Sequence, residues 1–276
     1  MKLLCPLSIS LLTAGALLIG GTATSHAAAL GTDNVNQTAY DDGWQDGDDG
    51  SASGNAFSPW SLTTSTTGSG FAGHFIGDST QSDGGSGGNI NVNGESFGMF
   101  GGPGGPTDTG EANAFRSFVG GDGTTPTPLS VGQTFSIDIV VNFRNGFKGI
   151  DLRDTTDTTV FNFNIGGDDY VVNNAATGNG SIGNTYSGDT VFSLSFTQTS
   201  AGGGTWQIDR SGGVTDSDSG TYTGALQSIK LYVGNTDGGD ANNLYANNLA
   251  IVPEPSALAM LFGGAGLMML LRRRRR

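Results

Sequence analysis

Five carboxylates crowd into ten residues at Asp41-Asp42-Gly43-Trp44-Gln45-Asp46-Gly47-Asp48-Asp49-Gly50. Hard oxygen donors on a backbone that glycine lets turn sharply are the ligands calcium takes. The order is not that of an EF-hand, because Asp-x-Asp-x-Asp-Gly is absent and no Glu closes the loop at its twelfth position. A solvated acidic turn draws on the same residue types, since Asp and Gly are ordinary turn formers. Asp41, Asp42, Asp46, Asp48 and Asp49 therefore stand as a candidate calcium loop, with the plain turn as its alternative. Asp216, Asp218, Asp237 and Asp240 are weaker copies of the same pattern.

Trp44 and Trp60 lie in surroundings rich in Gly, Asp and Pro, where an exposed indole would offer a face to a sugar ring. The competing reading is core or strand cover, which is the expectation for Trp206 because it alternates with Ile208. Tyr40 and Tyr170 are further aromatic candidates. Catalytic patterns are not found: Glu95 and Glu111 are the only glutamates between residues 30 and 251, and nothing near them marks a paired acid and base. A serine triad would need His74, yet no Gly-x-Ser-x-Gly elbow presents a nucleophile. The glycine-rich segments lack the lysine and helix start of a phosphate loop. No enzymatic activity is expected.

The elements that would position these residues are strands. Phe135, Ile137, Ile139, Val141 and Phe143 alternate with Ser136, Asp138 and Asn142, the period of a half-buried strand. Phe161, Phe163 and Ile165 repeat the pattern, as do Phe192, Leu194 and Phe196, then Trp206 and Ile208, then Ile229, Leu231 and Val233. Shorter candidates are 71–76, 96–100, 115–119 and 248–251, and no convincing 3.6-residue period appears. Many short strands divided by Gly, Asn and Asp predict an all-β fold, a single antiparallel β-sandwich of jelly-roll type over residues 30–251. The segment 120–128, rich in Thr and Pro, is expected to cross between sheets. No internal repeat suggests a solenoid or propeller.

Charge narrows the partners. Between residues 30 and 251, 24 Asp and Glu face six Lys and Arg, a net charge of −18. Nucleic acid and anionic lipid are thereby disfavoured, while divalent cations bridging to acidic polymers are compatible. The two ends are different in kind. Met1-Lys2, an apolar stretch from Leu3 to Gly20 and Ser25-His26-Ala27-Ala28-Ala29 read as a secretory signal peptide over 1–29. Cys5, the only cysteine, leaves with it, so the mature chain is expected to contain neither disulfides nor thiolate sites.

At the other end Val252-Pro253-Glu254-Pro255 precedes the uncharged run 256–271 and then Arg272, Arg273, Arg274, Arg275 and Arg276. A helix over 256–271 would reach about 24 Å, short of a hydrocarbon core of roughly 30 Å, but snorkelling arginines and slight thinning of the bilayer accommodate that. The positive-inside rule then places the arginines in the cytoplasm and residues before Val252 on the far side.

This order of motif, span and basic cluster resembles the PEP-CTERM sorting domain of bacterial surface proteins. The resemblance implies that Pro253, Glu254 and Pro255 are read by an exosortase, a membrane-embedded transpeptidase-like enzyme. It also implies localisation at the cell surface or in the extracellular matrix, and association with exopolysaccharide. Thr32 to Trp44, Phe57-Ser58-Pro59-Trp60, 96–100 and 114–118 also resemble the ectodomain of a recurring set of PEP-CTERM proteins, a likeness that brings no activity with it. The expected role is that of an exported, exosortase-processed surface or matrix protein. The alternatives are a lectin-like, calcium-dependent carbohydrate-binding module using Trp44 or Trp60, and, further off, a secreted glycoside-active enzyme.

Overall fold

A computed structural model describes residues 30–50, 56–81, 87–174, 178–183 and 185–253. The expected signal peptide 1–29, Glu254, Pro255, the expected helix 256–271 and Arg272 to Arg276 lie outside the described residues. Among the described residues no helix is long and apolar enough to cross a membrane.

The chain folds as two antiparallel sheets packed face to face. The second sheet contains β2 (Ser61–Thr67), β5 (Thr109–Ser117), β7 (Phe147–Asp154), β8 (Thr159–Asn164), β9 (Val171–Asn174), β10 (Gly178–Ser181) and β14 (Leu226–Gly234). The first contains β1 (Gly31–Asp33), β3 (Phe71–Gly77), β4 (Ser96–Gly102), β6 (Gln133–Val140), β11 (Val191–Ser200), β12 (Gly203–Ser211), β13 (Asp216–Thr223) and β15 (Leu244–Pro253). The first sheet runs β13-β12-β11-β6-β15-β4-β3, with β1 also on β15; the second runs β10-β9-β8-β7-β14-β5-β2.

Alternation sets which face is buried. Phe135, Ile137 and Ile139 of β6 stand opposite Phe196, Leu194 and Phe192 of β11, and β12 continues the row with Trp206 and Ile208. Across the interior, Phe161 of β8 meets the Phe196 ring edge-on at 4.9 Å, and Phe163 meets Phe192 at 5.2 Å. All ten are buried. Segment 120–128 does pass from β5 in the second sheet to β6 in the first.

Several boundaries differ from the sequence reading, among them β5, which spans Thr109–Ser117 where the sequence predicts 115–119, and the ends of β6 and β15. The alternation that includes Val141 and Phe143 outlasts the ladder, which ends at Val140 because the next strand, β7, belongs to the other sheet. Asn142, almost fully buried, anchors the departure: its Nδ2 donates to the Ser79 and Gln81 carbonyls at 2.8 and 2.6 Å, and its Oδ1 accepts from the Gly88 N–H at 3.0 Å. β15 runs past 251 to Pro253, whose register partner is Gln133. Proline fits there as the last residue of a strand, where no further ladder donor is needed.

The register also sorts the connections. Those at 68–70, 103–108, 141–146, 165–170 and 235–243 all lie at one pole of the sandwich, while Leu30 and Pro253 lie at the other.

Candidate functional site

The structure folds the tryptophans of the N-terminal segment inward. Trp44 and Trp60 are 4% and 1% exposed, so the expectation of a glycan-facing indole pair is overturned. Trp44 packs against Trp60, Phe97 and the His74 ring at 5.1, 4.8 and 5.3 Å. Trp60 Nε1–H donates to Tyr40 Oη at 3.1 Å, and Tyr40 O–H donates to Asp33 Oδ2 at 2.5 Å. His74 is held with them: its Nε2–H donates to the Asn113 carbonyl, and burial pushes the imidazole below its usual range.

The acidic loop is tied into the same cluster. Arg116, 1% exposed, pairs with Asp33 and reaches Asp49 Oδ1 at 3.0 Å. Its guanidinium lies 5.0 Å from the Phe57 ring centroid and 4.9 Å from that of Trp60. Burial raises the Asp33 carboxyl above the usual carboxylate range, with Arg116 and Tyr40 pulling it back. Asp46 Oδ1 accepts from the Leu62 N–H at 2.9 Å, Asp48 Oδ2 accepts from the Gln45 N–H at 2.6 Å, and Asp41 and Asp42 stay at the surface. Among the described residues no group of three or more His, Cys, Asp or Glu side chains is placed to hold a metal ion. Asp46, Asp48 and Asp49 of the loop are thus turned to backbone amides and an arginine, while Asp41 and Asp42 face solvent, so the five carboxylates do not converge on one point.

An open aromatic site lies instead at the pole that carries the 141–146 connection. A cleft of about 270 Å³ is lined by Phe143, Arg144, Asn145, Gly167, Asp168 and Tyr186. Phe143 is 48% exposed and Tyr186 39%, and the two rings meet at right angles with centroids 6.0 Å apart. The Arg144 guanidinium is 5.1 Å from the Tyr170 ring centroid and 5.4 Å from that of Tyr186, and its buried Nη1 has no hydrogen-bond partner among the described residues. Asp168 is exposed on the rim.

The backbone explains why these groups converge. Gly146 has φ of +70°, a left-handed conformation that glycine adopts without strain, and a Cβ there would come 2.6 Å from the Gly234 carbonyl oxygen. The turn brings Arg144 beside the 165–170 connection, where its carbonyl accepts from the Gly167 N–H at 2.5 Å. Tyr186 is fixed by its hydroxyl, which donates to the Asn142 carbonyl; burial raises this phenol and so keeps it a neutral donor. Beneath the cleft Lys148 is fully buried, and its Nζ donates to the carbonyls of Phe143 and Asn242 at 2.8 and 2.7 Å. One amine thus joins the 141–146 and 235–243 connections.

Two exposed rings, an arginine donor without a partner and a carboxylate form a shallow site for a ligand with an apolar face and many hydroxyls. Sequence reasoning missed Arg144, Asp168 and Tyr186, and it placed Phe143 on a strand. Only Phe143 left a signal, as an apolar residue following a strand pattern into a Gly- and Asn-containing turn.

No protein-family model matches the chain, and no curated protein matches it. Among solved structures, a galectin of Caenorhabditis elegans aligns at 18% identity over 46% of this chain and 91% of its own, with a TM-score of 0.30. The T. cruzi calreticulin globular domain aligns at 10% identity over 73% of this chain and 87% of its own, with a TM-score of 0.40. The receptor-binding domain of botulinum neurotoxin D aligns at 9% identity over 74% of this chain and 48% of its own, with a TM-score of 0.33. At these scores the likeness is loose.

Proposed function

We propose that this chain is an exported surface or matrix protein whose jelly-roll sandwich binds extracellular polysaccharide at the Phe143–Tyr186 cleft. The observation that carries the reading is the pair of exposed rings set at right angles beside the unpartnered Nη1 of Arg144. Aromatic faces cover the C–H surface of a pyranose while a guanidinium donates to its hydroxyls, and little ordering is needed because the rings are held by neighbours. The lining groups serve for holding a ligand, and no metal is required.

The exosortase reading of Pro253, Glu254 and Pro255 rests on the order of motif, apolar run and arginines in the sequence. The fold is compatible with it in one respect: Leu30 and Pro253 lie at the pole opposite the cleft, so a chain tethered through its C-terminal end would present the cleft away from the membrane.

Cosedimentation of the purified chain with exopolysaccharide from the producing cells tests the binding claim. Saturable binding that Phe143→Ala and Tyr186→Ala each weaken about tenfold is expected, the loss of one aromatic contact of about 1.4 kcal/mol. Binding that survives both substitutions would remove the cleft from the function.

A further inference from the structure

A second cleft lies on the same pole, across the ridge where the Asp237 N–H donates to Asn145 Oδ1 at 3.0 Å. It measures about 350 Å³, and its floor is formed by Phe71, Phe75 and Phe100. These rings belong to the outer face of β3 and β4, the face turned away from the core residues Phe97 and Met99. In the ladder Phe71 pairs with Gly102, Gly73 with Phe100, and Phe75 with Gly98. A Cβ on Gly102 would come 2.5 Å from the Phe71 ring, one on Gly73 2.6 Å from Phe100, and one on Gly98 2.4 Å from Phe75. Each ring therefore lies over the bare backbone of the opposite strand and turns its other face outward. Centroids spaced 6.3 and 6.1 Å apart make a stepped platform, and Phe71 at its end is 39% exposed.

The opposite wall is the 235–243 connection. Thr236 pins it to β4, its N–H and Oγ1–H both donating to the Gly101 carbonyl at 2.8 and 3.0 Å. Asp237 and Asp240 project from this wall, both exposed, and among the described residues neither side chain accepts a hydrogen bond from the protein. Among the described residues no Lys or Arg lines the cleft. The nearest amine, Lys148, is buried and pushed down to about 7 by that burial, Asp237 opposing, so it offsets little of the negative charge.

The other cations between residues 30 and 251 are engaged elsewhere. Arg116 is held by Asp33 and Asp49, Arg153 by Asp157, and Lys230 by Asp151. Arg210 lies on the Tyr170 ring, and Arg144 is in the first cleft. A net charge of −18 is thus carried by a surface with few free positive groups, and such a field gathers cationic polymers.

We infer that the Phe71–Phe100–Phe75 cleft binds amine-bearing sugars, its rings stacking on the apolar face of a hexosamine and Asp237 and Asp240 pairing with its free ammonium. This rests on the glycan reading of the pole and narrows the polymer to one that is at least partly N-deacetylated. The two clefts share the Asn145–Asp237 ridge, so a single extended chain can occupy both.

The test uses the full-length chain in mild detergent, with glucosamine hexamer and N-acetylglucosamine hexamer as probes in calorimetric titrations at low salt. The amine form is expected to bind about tenfold tighter, the worth of one charge-assisted hydrogen bond. Asp237→Asn with Asp240→Asn should close that gap, and both side chains are exposed, so folding is preserved. Phe71→Ala should weaken the amine form about tenfold. Equal affinity for the two hexamers, or a gap that survives the Asn pair, overturns the inference; if Phe143→Ala still weakens exopolysaccharide binding about tenfold, the first cleft stands without it. Oligolysine of equal charge binding as tightly as glucosamine hexamer would show the cleft to be a cationic-peptide site and overturn the sugar assignment.

Discussion

Of the four arginines that lie on aromatic rings in the described residues, Arg116 and Arg144 differ most in what else they touch. Arg116 is 4.9 Å from the Trp60 ring centroid and satisfied by two carboxylates, almost without exposure. Arg144 stacks on Tyr170 and Tyr186 at the edge of an open cleft with a buried Nη1 left over. Stacking alone therefore does not mark a binding site. A leftover donor alone does not either, since Arg153 and Arg210 also leave Nε without a partner among the described residues; Arg144 differs in lining an open cleft, where a ligand oxygen would relieve the cost of the unmade bond.

Breaking the first arrangement should give the largest effect. Arg116→Met leaves Asp33 buried beside Tyr40 without its counter-charge, and removing one partner of a buried pair typically costs about 3–5 kcal/mol. Urea unfolding should show that loss. A variant as stable as the parent would mean that the cluster around Trp44 and Trp60 does not hold the N-terminal segment down.

Lys148 supplies the next effect, through pH. Its folded pKa of about 7 is below its ordinary value because burial disfavours the charged amine, so above pH 7 the unfolded chain binds more protons than the folded one. Stability should then climb with pH, by roughly 2 kcal/mol between pH 7 and 9, and the cost of charging the buried amine is carried in full below pH 7. Lys148→Met should flatten that rise in urea titrations at stepped pH. An unchanged rise would assign it to another group.

How far these arrangements were legible depends on range. β6 and β11 could be read because apolar residues alternate over five or more positions on strands covered on one face. β2, Ser61–Thr67, could not: it is an edge strand whose residues are nearly all exposed, so no periodicity is required of it. Trp44 and Trp60 looked open because their neighbours are turn formers. Phe97 and Arg116, which cover them, are far along the chain, and Asp33 is 83 residues from Arg116. The 41–49 loop suggested a metal for the same reason: its five aspartates are visible locally, while Leu62 and Arg116, which engage Asp46 and Asp49, are not. The first cleft is assembled from three connections, none of which has a repeating pattern.

The smallest stability effect and the sharpest contrast belong to Arg144→Met. The substitution replaces the stacked guanidinium with a thioether that can still pack on Tyr170 and Tyr186, and it removes a donor that has no partner among the described residues, so stability should change by about 1 kcal/mol or less. Affinity for exopolysaccharide should fall about tenfold, because the donor is used only when ligand is present. The pair of measurements separates the two arginines in opposite directions: Arg116→Met should lose stability, and Arg144→Met should lose binding. If Arg144→Met instead unfolds the chain while leaving binding intact in the folded fraction, both arginines are structural, and the exposed rings of Phe143 and Tyr186 would have to bind without it.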